Sequence, residues 1–244
     1  VRGSALPGRR ANLELAAAFA DLATDESTGE QLWPLVDRWS ALDATEAPTN
    51  HPREFLCFTA VQAAGASYRW ARSARREEIL SLLRCRARDE RWRTREAVAF
   101  GLQRIGDDDW VALCQICEQW ADDGCLLELR AVLAALAHPP GLDPAERARF
   151  ALSMAEAAMV RFRDLDAQEQ AGPEGVALRK GLQFAPSVFA AASPDDGFGW
   201  LERWASCEDL VVKKIVASNL RKARLARAFP ERVEEVGRVL TNGW

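Results

Sequence analysis

The sequence predicts an all-α fold in which antiparallel helix pairs stack side by side into a solenoid. Two observations point to this fold. Apolar residues recur at helical spacing along almost all of the 244 residues, and the alternating pattern that is typical of β-strands is missing. A short helical pattern also recurs along the chain, as it does in repeat proteins. Because 48% of the residues are hydrophobic, the chain can form a large core.

The ends of the predicted helices are marked by residues that commonly interrupt helices. These interruptions are Gly106 with the following aspartates, Asp122-Asp123-Gly124, His138-Pro139-Pro140-Gly141, Ser193-Pro194 and Pro230. About a dozen helices are expected between them. They span residues 11–23, 29–42, 52–70, 73–88, 90–105, 108–121, 125–138, 143–163, 174–192, 195–206, 209–227 and 230–241.

A seven-residue pattern recurs in four of these helices. It reads EAVAFGL from residue 96, RAVLAAL from residue 130, KIVASNL from residue 214 and, more weakly, KGLQFAP from residue 180. Consecutive copies are therefore 34, 50 and 34 residues apart. A helix pair cannot bury its apolar face alone, so such pairs stack on one another. We predict a HEAT-like or ARM-type solenoid of about six antiparallel helix pairs; a globin-like or closed bundle fold is the alternative.

Residues 1–10 are expected to form a flexible leader, and residues 11–244 a single HEAT-like repeat domain. Six cysteines are spread through helical segments, which favours a reduced, cytoplasmic protein over a disulfide-stapled secreted one. The sequence contains no run of about eighteen apolar residues, so we predict no membrane span. The net charge of −4 argues against indiscriminate nucleic-acid binding but allows one basic face on an acidic body. We expect a monomer.

One predicted helix carries Trp92 and Glu96 one turn apart, on a different face from its core residues Val98, Leu102 and Ile105. Asp89 is the expected N-cap of this helix. An aromatic wall beside a carboxylate can hold a cationic group by cation–π and Coulomb attraction. Alternatively, Trp92 packs on the preceding helix and Glu96 pairs with an arginine.

Basic residues form two clusters. The first comprises Arg84, Arg86, Arg88, Arg91, Arg93 and Arg95; the second comprises Lys213, Lys214, Arg221, Lys222, Arg224 and Arg227, with only Asp209 as a nearby acid. Arg130, Lys180 and Lys214 occupy one position of the repeat, so stacking in register would align them along a groove. Arginine forks suit phosphates, although a solvated face with i,i+4 ion pairs is the alternative for both clusters.

The sequence predicts no metal site and no cofactor. Cys114 and Cys117 form a C-x-x-C pattern, but no second such pair follows, and His51 and His138 are the only histidines. A structural zinc ion needs four suitable ligands, so these cysteines are expected to act as small apolar residues of helices.

Residues 50–240 resemble the bacterial HEAT-repeat alkylpurine DNA glycosylases of the AlkD type and their uncharacterised HEAT-like relatives. In that family a tryptophan is followed four residues later by an active-site aspartate; Trp92 and Glu96 match this spacing, with glutamate in place of aspartate. Arg130, in LELRAVLAAL, matches a DNA-contacting arginine, and His138 stands where the family tends to have lysine.

A second family aromatic, followed three residues later by an arginine, has two candidate matches. In VVKKIVASNLRKA, Ser218 takes the aromatic position and Arg221 the arginine position; in ALRKGLQFAPS, Phe184 is the aromatic and Ser187 replaces the arginine. The resemblance implies binding of duplex DNA, with Arg130, His138, Lys214, Arg221 and either Phe184 or Ser218 in the interface.

The family reaction would be removal of a cationic 3- or 7-alkylpurine. Stacked aromatics would recognise the base, and the carboxylate of Glu96 would stabilise the developing oxocarbenium sugar without a metal. A HEAT-like protein that binds DNA, with or without this activity, is therefore one hypothesis. A non-enzymatic scaffold that binds a protein partner is the other, because many solenoids have that role.

Overall fold

The computed structural model describes residues 2–242, and in that part of the chain it contains helices and no β-strand. The prediction of an all-α protein is confirmed. The helices are α1 (Leu13–Leu22), α2 (Glu26–Ser40), α3 (Glu54–Ser67), α4 (Ser73–Ala87), α5 (Trp92–Asp108), α6 (Trp110–Asp123), α7 (Leu126–Leu136), α8 (Ala145–Arg163), α9 (Ala167–Ala171), α10 (Pro173–Leu182), α11 (Ala185–Ala192), α12 (Pro194–Ala205), α13 (Leu210–Leu220), α14 (Ala223–Ala226) and α15 (Pro230–Asn242). A 3₁₀ turn, Pro139–Leu142, lies between α7 and α8.

The single helix predicted over residues 174–192 is wrong, because the structure breaks it into α10 and α11 at Gln183 and Phe184. Pro186 explains the break: it has no N–H to donate to the carbonyl of Leu182, and its ring would clash with that oxygen in a continuous helix. The buried side chain of Asn219 fills the gap. It donates to Leu182 O at 2.8 Å and accepts from Ser187 N at 2.9 Å.

The chain divides into two compact units, Val1–Gln115 and Ile116–Trp244. In the first unit, α3 lies at the centre and contacts α1, α2, α4 and α5. Nearly all of its residues are buried, as expected for a helix that is apolar on every side. Gly65 of α3 crosses Gly101 of α5 so closely that a Cβ at residue 65 would collide with the backbone of residue 101.

In the second unit, α7 packs against α8 and α10, while α12 contacts α8, α11, α13 and α15. Gly197 lets α12 approach α11, since a Cβ there would lie 2.2 Å from the Cα of Ala190. Two residues later in the same helix, a Cβ on Gly199 would meet nothing within 4 Å. This open space faces a cleft between α8 and α12.

Ser4 and Gly8 bond to later residues of the first unit. Asn12 N donates to Ser4 O at 2.9 Å, and Gly8 N donates to the Asn50 side chain at 2.9 Å. Flexibility of residues 1–10 and continuity of one repeat domain over residues 11–244 stay predictions. Among the described helices, none combines the length and apolar character that a membrane crossing requires.

Candidate functional site

Helix α5 buries the face that the sequence predicts. Val98, Leu102 and Ile105 are buried, whereas the side chain of Trp92 is 44% exposed. Glu96, one turn after Trp92, is half-buried and has an interaction partner of its own. Trp92 and Glu96 thus lie outside the core stripe of α5.

The predicted N-cap of α5 is wrong. Arg91, not Asp89, occupies the N-cap position, and it makes no side-chain capping bond. Asp89 instead accepts hydrogen bonds from the backbone N–H of Arg91 at 2.9 Å and from its Nε at 2.8 Å. The carboxylate therefore holds an arginine in place and leaves the first turn of the helix uncapped.

The indole of Trp92 already has a cation on one of its faces. The guanidinium carbon of Arg93 lies 4.4 Å from the centre of the ring. Arg93 is buried, forms an ion pair with the buried Glu54 at 3.2 Å, and donates to the carbonyl of Gly8. A cationic base would have to stack on the opposite face of the indole, because the two positive charges repel each other.

Arg91 is fully buried, and each of its guanidinium nitrogens donates hydrogen bonds. The backbone carbonyls of Leu42, Asp43 and Ala47 accept from it at 2.7–3.1 Å, and Asp89 accepts from it at 2.6 Å. Burial alone would lower the pKa of Arg91, but the bonds with Asp89 and nearby negative groups raise it above its ordinary value. This arginine fastens the α2–α3 loop to the start of α5.

Both sequence interpretations of the 84–95 cluster are wrong for Arg91 and Arg93, which neither track phosphates nor lie on a solvated face. Arg86 pairs with Asp89 at 3.2 Å, and Arg95 donates to the carbonyls of Asp89 and Glu90. Arg84 and Arg88 have interaction partners as well. The arginines of this cluster therefore already interact with other residues of the protein.

The second cluster is different. Five of its basic residues, Lys214, Arg221, Lys222, Arg224 and Arg227, are at least partly exposed, and within residues 2–242 no carboxylate oxygen lies within 4 Å of the charged nitrogens of these five. We call these residues the C-terminal basic surface: Lys214, Arg221, Lys222, Arg224 and Arg227. Lys213, predicted to belong with them, is buried instead. Asp209, the acid that the sequence places next to this cluster, caps α13 by accepting from Val211 N and Val212 N.

An exposed aromatic residue lies at this surface. Phe184 is 43% exposed, and its ring centre is 4.6 Å from the Arg224 guanidinium carbon and 5.7 Å from Lys222 Nζ. The Ser218 hydroxyl donates to the carbonyl of Gln183, the neighbour of Phe184, at 3.3 Å. The two alternative positions for the second aromatic therefore lie side by side. Ser187 is buried, so it does not belong to the surface.

Arg130 and His138 occupy other elements of the second unit. Arg130 is half-buried on α7, and its Cγ would lie 3.6 Å from a Cβ on Gly181, next to Lys180. This proximity agrees with alignment of the Arg130 and Lys180 repeat positions. His138 is half-buried and begins the 3₁₀ turn, where its carbonyl accepts from Gly141 N at 2.9 Å.

Sequence reasoning missed Asn219, although an asparagine within the apolar segment KIVASNL is itself a signal. By joining α13 to the broken ends of α10 and α11, Asn219 fixes the position of Phe184 against the C-terminal basic surface. In the described chain, no three His, Cys, Asp or Glu side chains are grouped as metal ligands would be, and all six cysteines are free of disulfides.

Comparison with protein-family models, with curated proteins and with solved structures finds no match for this chain. The likeness to alkylpurine glycosylases therefore depends on the residues named above.

Proposed function

We propose that the protein binds duplex DNA through the C-terminal basic surface and Phe184. One observation carries this proposal: within residues 2–242, five exposed or half-exposed cations have no carboxylate partner, and two of them, Lys222 and Arg224, lie over the exposed ring of Phe184. Residues 210–230 contain six basic residues and no acid. Because the net charge of the chain is −4, a polyanion would be attracted to a locally basic face and not to the protein as a whole.

Helix α13 carries side chains that can contact successive phosphates of a DNA backbone. Lys214, Ser218 and Arg221 are spaced at i, i+4 and i+7, so they share one face of the helix. Arg221 is the C-cap, and Lys222 to Arg227 continue the basic surface around the short α14. Arginine forks and a flexible lysine can each neutralise a phosphate and release its counterions.

The proposal includes a HEAT-like solenoid of about six helix pairs. Contacts between alternate helices support it within each unit: α3 packs against both α1 and α5, and α13 packs against both α11 and α15. We further propose that the protein acts as a monomer in the cytoplasm, in keeping with its free cysteines.

Fluorescence anisotropy with a labelled duplex at low salt tests DNA binding. We expect Arg221→Glu to weaken binding at least about tenfold, because charge reversal adds repulsion to the loss of a phosphate contact. Arg161→Glu is the matched control: Arg161 is also exposed in the second unit and makes the same change in net charge. Equal effects of the two substitutions would contradict binding at the C-terminal basic surface.

Base excision is the second candidate function, favoured by an exposed Trp92 and by Glu96 one turn later on α5. In this reaction the Glu96 carboxylate stabilises positive charge on the sugar as a 3- or 7-alkylpurine departs. Release of 7-methylguanine from methylated duplex DNA, measured in a single turnover, tests it. Release by the wild type that disappears in Glu96→Gln supports the reaction; absence of release from the wild type rejects it.

A protein-interaction scaffold is the alternative to both. Leu15 and Leu22 of α1 are exposed and seven residues apart, so they form an apolar stripe on one face. Failure of the wild-type protein to bind DNA on a low-salt column would reject DNA binding in favour of this alternative.

A further inference from the structure

A cleft of about 570 Å³ lies between α8 and α12, and none of the residues that line it belongs to the C-terminal basic surface. Helix α8 lines the cleft with Arg149, Leu152, Ser153 and Glu156. Helix α12 lines it with Asp195, Asp196, Gly199, Trp200 and Arg203. Its volume falls within the range of about 300–1,000 Å³ that is usual for small-molecule sites.

The two helices run in the same direction along the cleft. Arg149 of α8 lies 3.8 Å from Asp196, near the start of α12, whereas Glu156 lies 3.7 Å from Arg203, near its end. Seven residues of helix separate the two levels, which corresponds to about 10 Å at the helical rise. One guanidinium is therefore placed at each end of the cleft.

The carboxylates of the cleft already accept short hydrogen bonds. Glu156 accepts from the indole N–H of Trp204 at 2.8 Å, and Asp196 accepts from the Ser193 hydroxyl at 2.6 Å. Asp195 accepts from Arg232 at 3.0 Å. Each acid thus has a donor that holds it in place.

The two arginines of the cleft, in contrast, make no short hydrogen bonds within residues 2–242. Arg149 and Arg203 make ion pairs only at 3.7–3.8 Å, beyond hydrogen-bond distance, and both are more than half exposed. A ligand that satisfies this cleft must supply acceptors.

The middle of the cleft is apolar and open. Leu152 and Trp200 supply apolar surface, and a Cβ on Gly199 would meet nothing within 4 Å. We propose that the cleft binds a small organic dianion, apolar in its middle and with its acidic groups about 10 Å apart, each held by one arginine. This site is independent of the proposed DNA binding.

Isothermal titration of the full chain with decanedioate tests the proposal, with decanoate and butanedioate as controls. Decanoate has the chain but only one acid, and butanedioate has both acids on a chain too short to reach both arginines. We expect each control to bind at least about tenfold more weakly than decanedioate. Equal binding of either control, or absence of decanedioate binding at millimolar concentration, would overturn the proposal.

Variants locate the binding. Arg149→Gln and Arg203→Gln should each weaken it about tenfold, since each removes one charged fork. Gly199→Leu should abolish binding by filling the cleft. Gly237→Leu is its control, because a Cβ on this α15 glycine also meets nothing within 4 Å and lies outside the cleft. Retained binding in Gly199→Leu would overturn the assignment.

Discussion

Residues 84–95 and residues 213–227 each carry six basic side chains, yet the structure uses them in different ways. In the first region Arg91 and Arg93 are buried, and Arg86 and Arg95 bond to neighbouring residues. In the second, five of the six basic side chains have no carboxylate partner within the described chain, and only Lys213 is buried. The comparison shows that the density of positive charge in a sequence does not measure how much of it can reach a ligand.

The cause of the difference is the supply of acceptors. Asp89 and Glu90 lie within the first region, and the loop between α2 and α3 adds three carbonyls that accept from Arg91. Burying a guanidinium is tolerated when each donor is satisfied. The second region has no acid between residues 210 and 230, and five of its six cations stay at the surface.

The largest expected effect is that of Arg91→Met. Removing the guanidinium leaves Asp89 and the carbonyls of the α2–α3 loop without their donor in a buried place. We expect the free energy of unfolding to fall by about 3–5 kcal/mol in urea denaturation at pH 7. Arg221→Met, the matched change in the exposed region, should alter it by about 0.5 kcal/mol or less. Similar losses of unfolding free energy in the two variants would contradict the conclusion that Arg91 is structural and Arg221 is not.

Asn219→Ala should have the next largest effect. It leaves Leu182 O and Ser187 N without the hydrogen bonds that bridge the break between α10 and α11. We expect a loss of about 1–3 kcal/mol in the free energy of unfolding, measured by urea denaturation. A loss of stability below this range would mean that the break is held by packing alone.

Acid should weaken the first region through Asp89. Burial by itself would raise the pKa of Asp89, but hydrogen bonds from Arg91 and Arg86 outweigh it and hold the pKa below its ordinary value. Its contribution to stability is therefore complete above the unfolded-state pKa of about 3.9 and is lost as the pH falls through the lower folded-state value. Asp89→Asn should be less stable than wild type at pH 7, and the difference should narrow in acid unfolding curves. A constant difference down to pH 3 would disprove this role.

Phe184→Leu should have only a small effect on stability. It removes exposed cation–π contacts with Arg224 and Lys222, for which we expect a loss of about 0.5–1 kcal/mol. The same protein should bind duplex DNA more weakly in the anisotropy measurement, because it lacks the exposed ring. Full DNA affinity in this variant would remove Phe184 from the interface.

Local pattern predicted much of the fold. The all-α class and the buried stripe of Val98, Leu102 and Ile105 follow from helical spacing, and both are confirmed. The break at Phe184 could also have been predicted, because Pro186 stands inside the helix predicted over residues 174–192. Local composition likewise predicts an accessible second basic cluster, since residues 210–230 contain no acid.

Other features depend on residues that are distant in sequence. The carbonyls that accept hydrogen bonds from the buried Arg91 belong to residues 42–47, and Arg93 bonds to Gly8 and Glu54. No spacing rule links these positions, so the sequence alone could not separate structural arginines from exposed ones. The cleft between α8 and α12 arises from the same kind of long-range packing.

The salt dependence of DNA binding tests the central claim most directly. For wild type, Arg221→Gln and Arg86→Gln, the logarithm of the binding constant is plotted against the logarithm of salt concentration. The account predicts that Arg221→Gln reduces the magnitude of the slope by about one, as loss of a single phosphate contact should, and that Arg86→Gln leaves the slope unchanged. A reduced slope in Arg86→Gln with an unchanged slope in Arg221→Gln would contradict it.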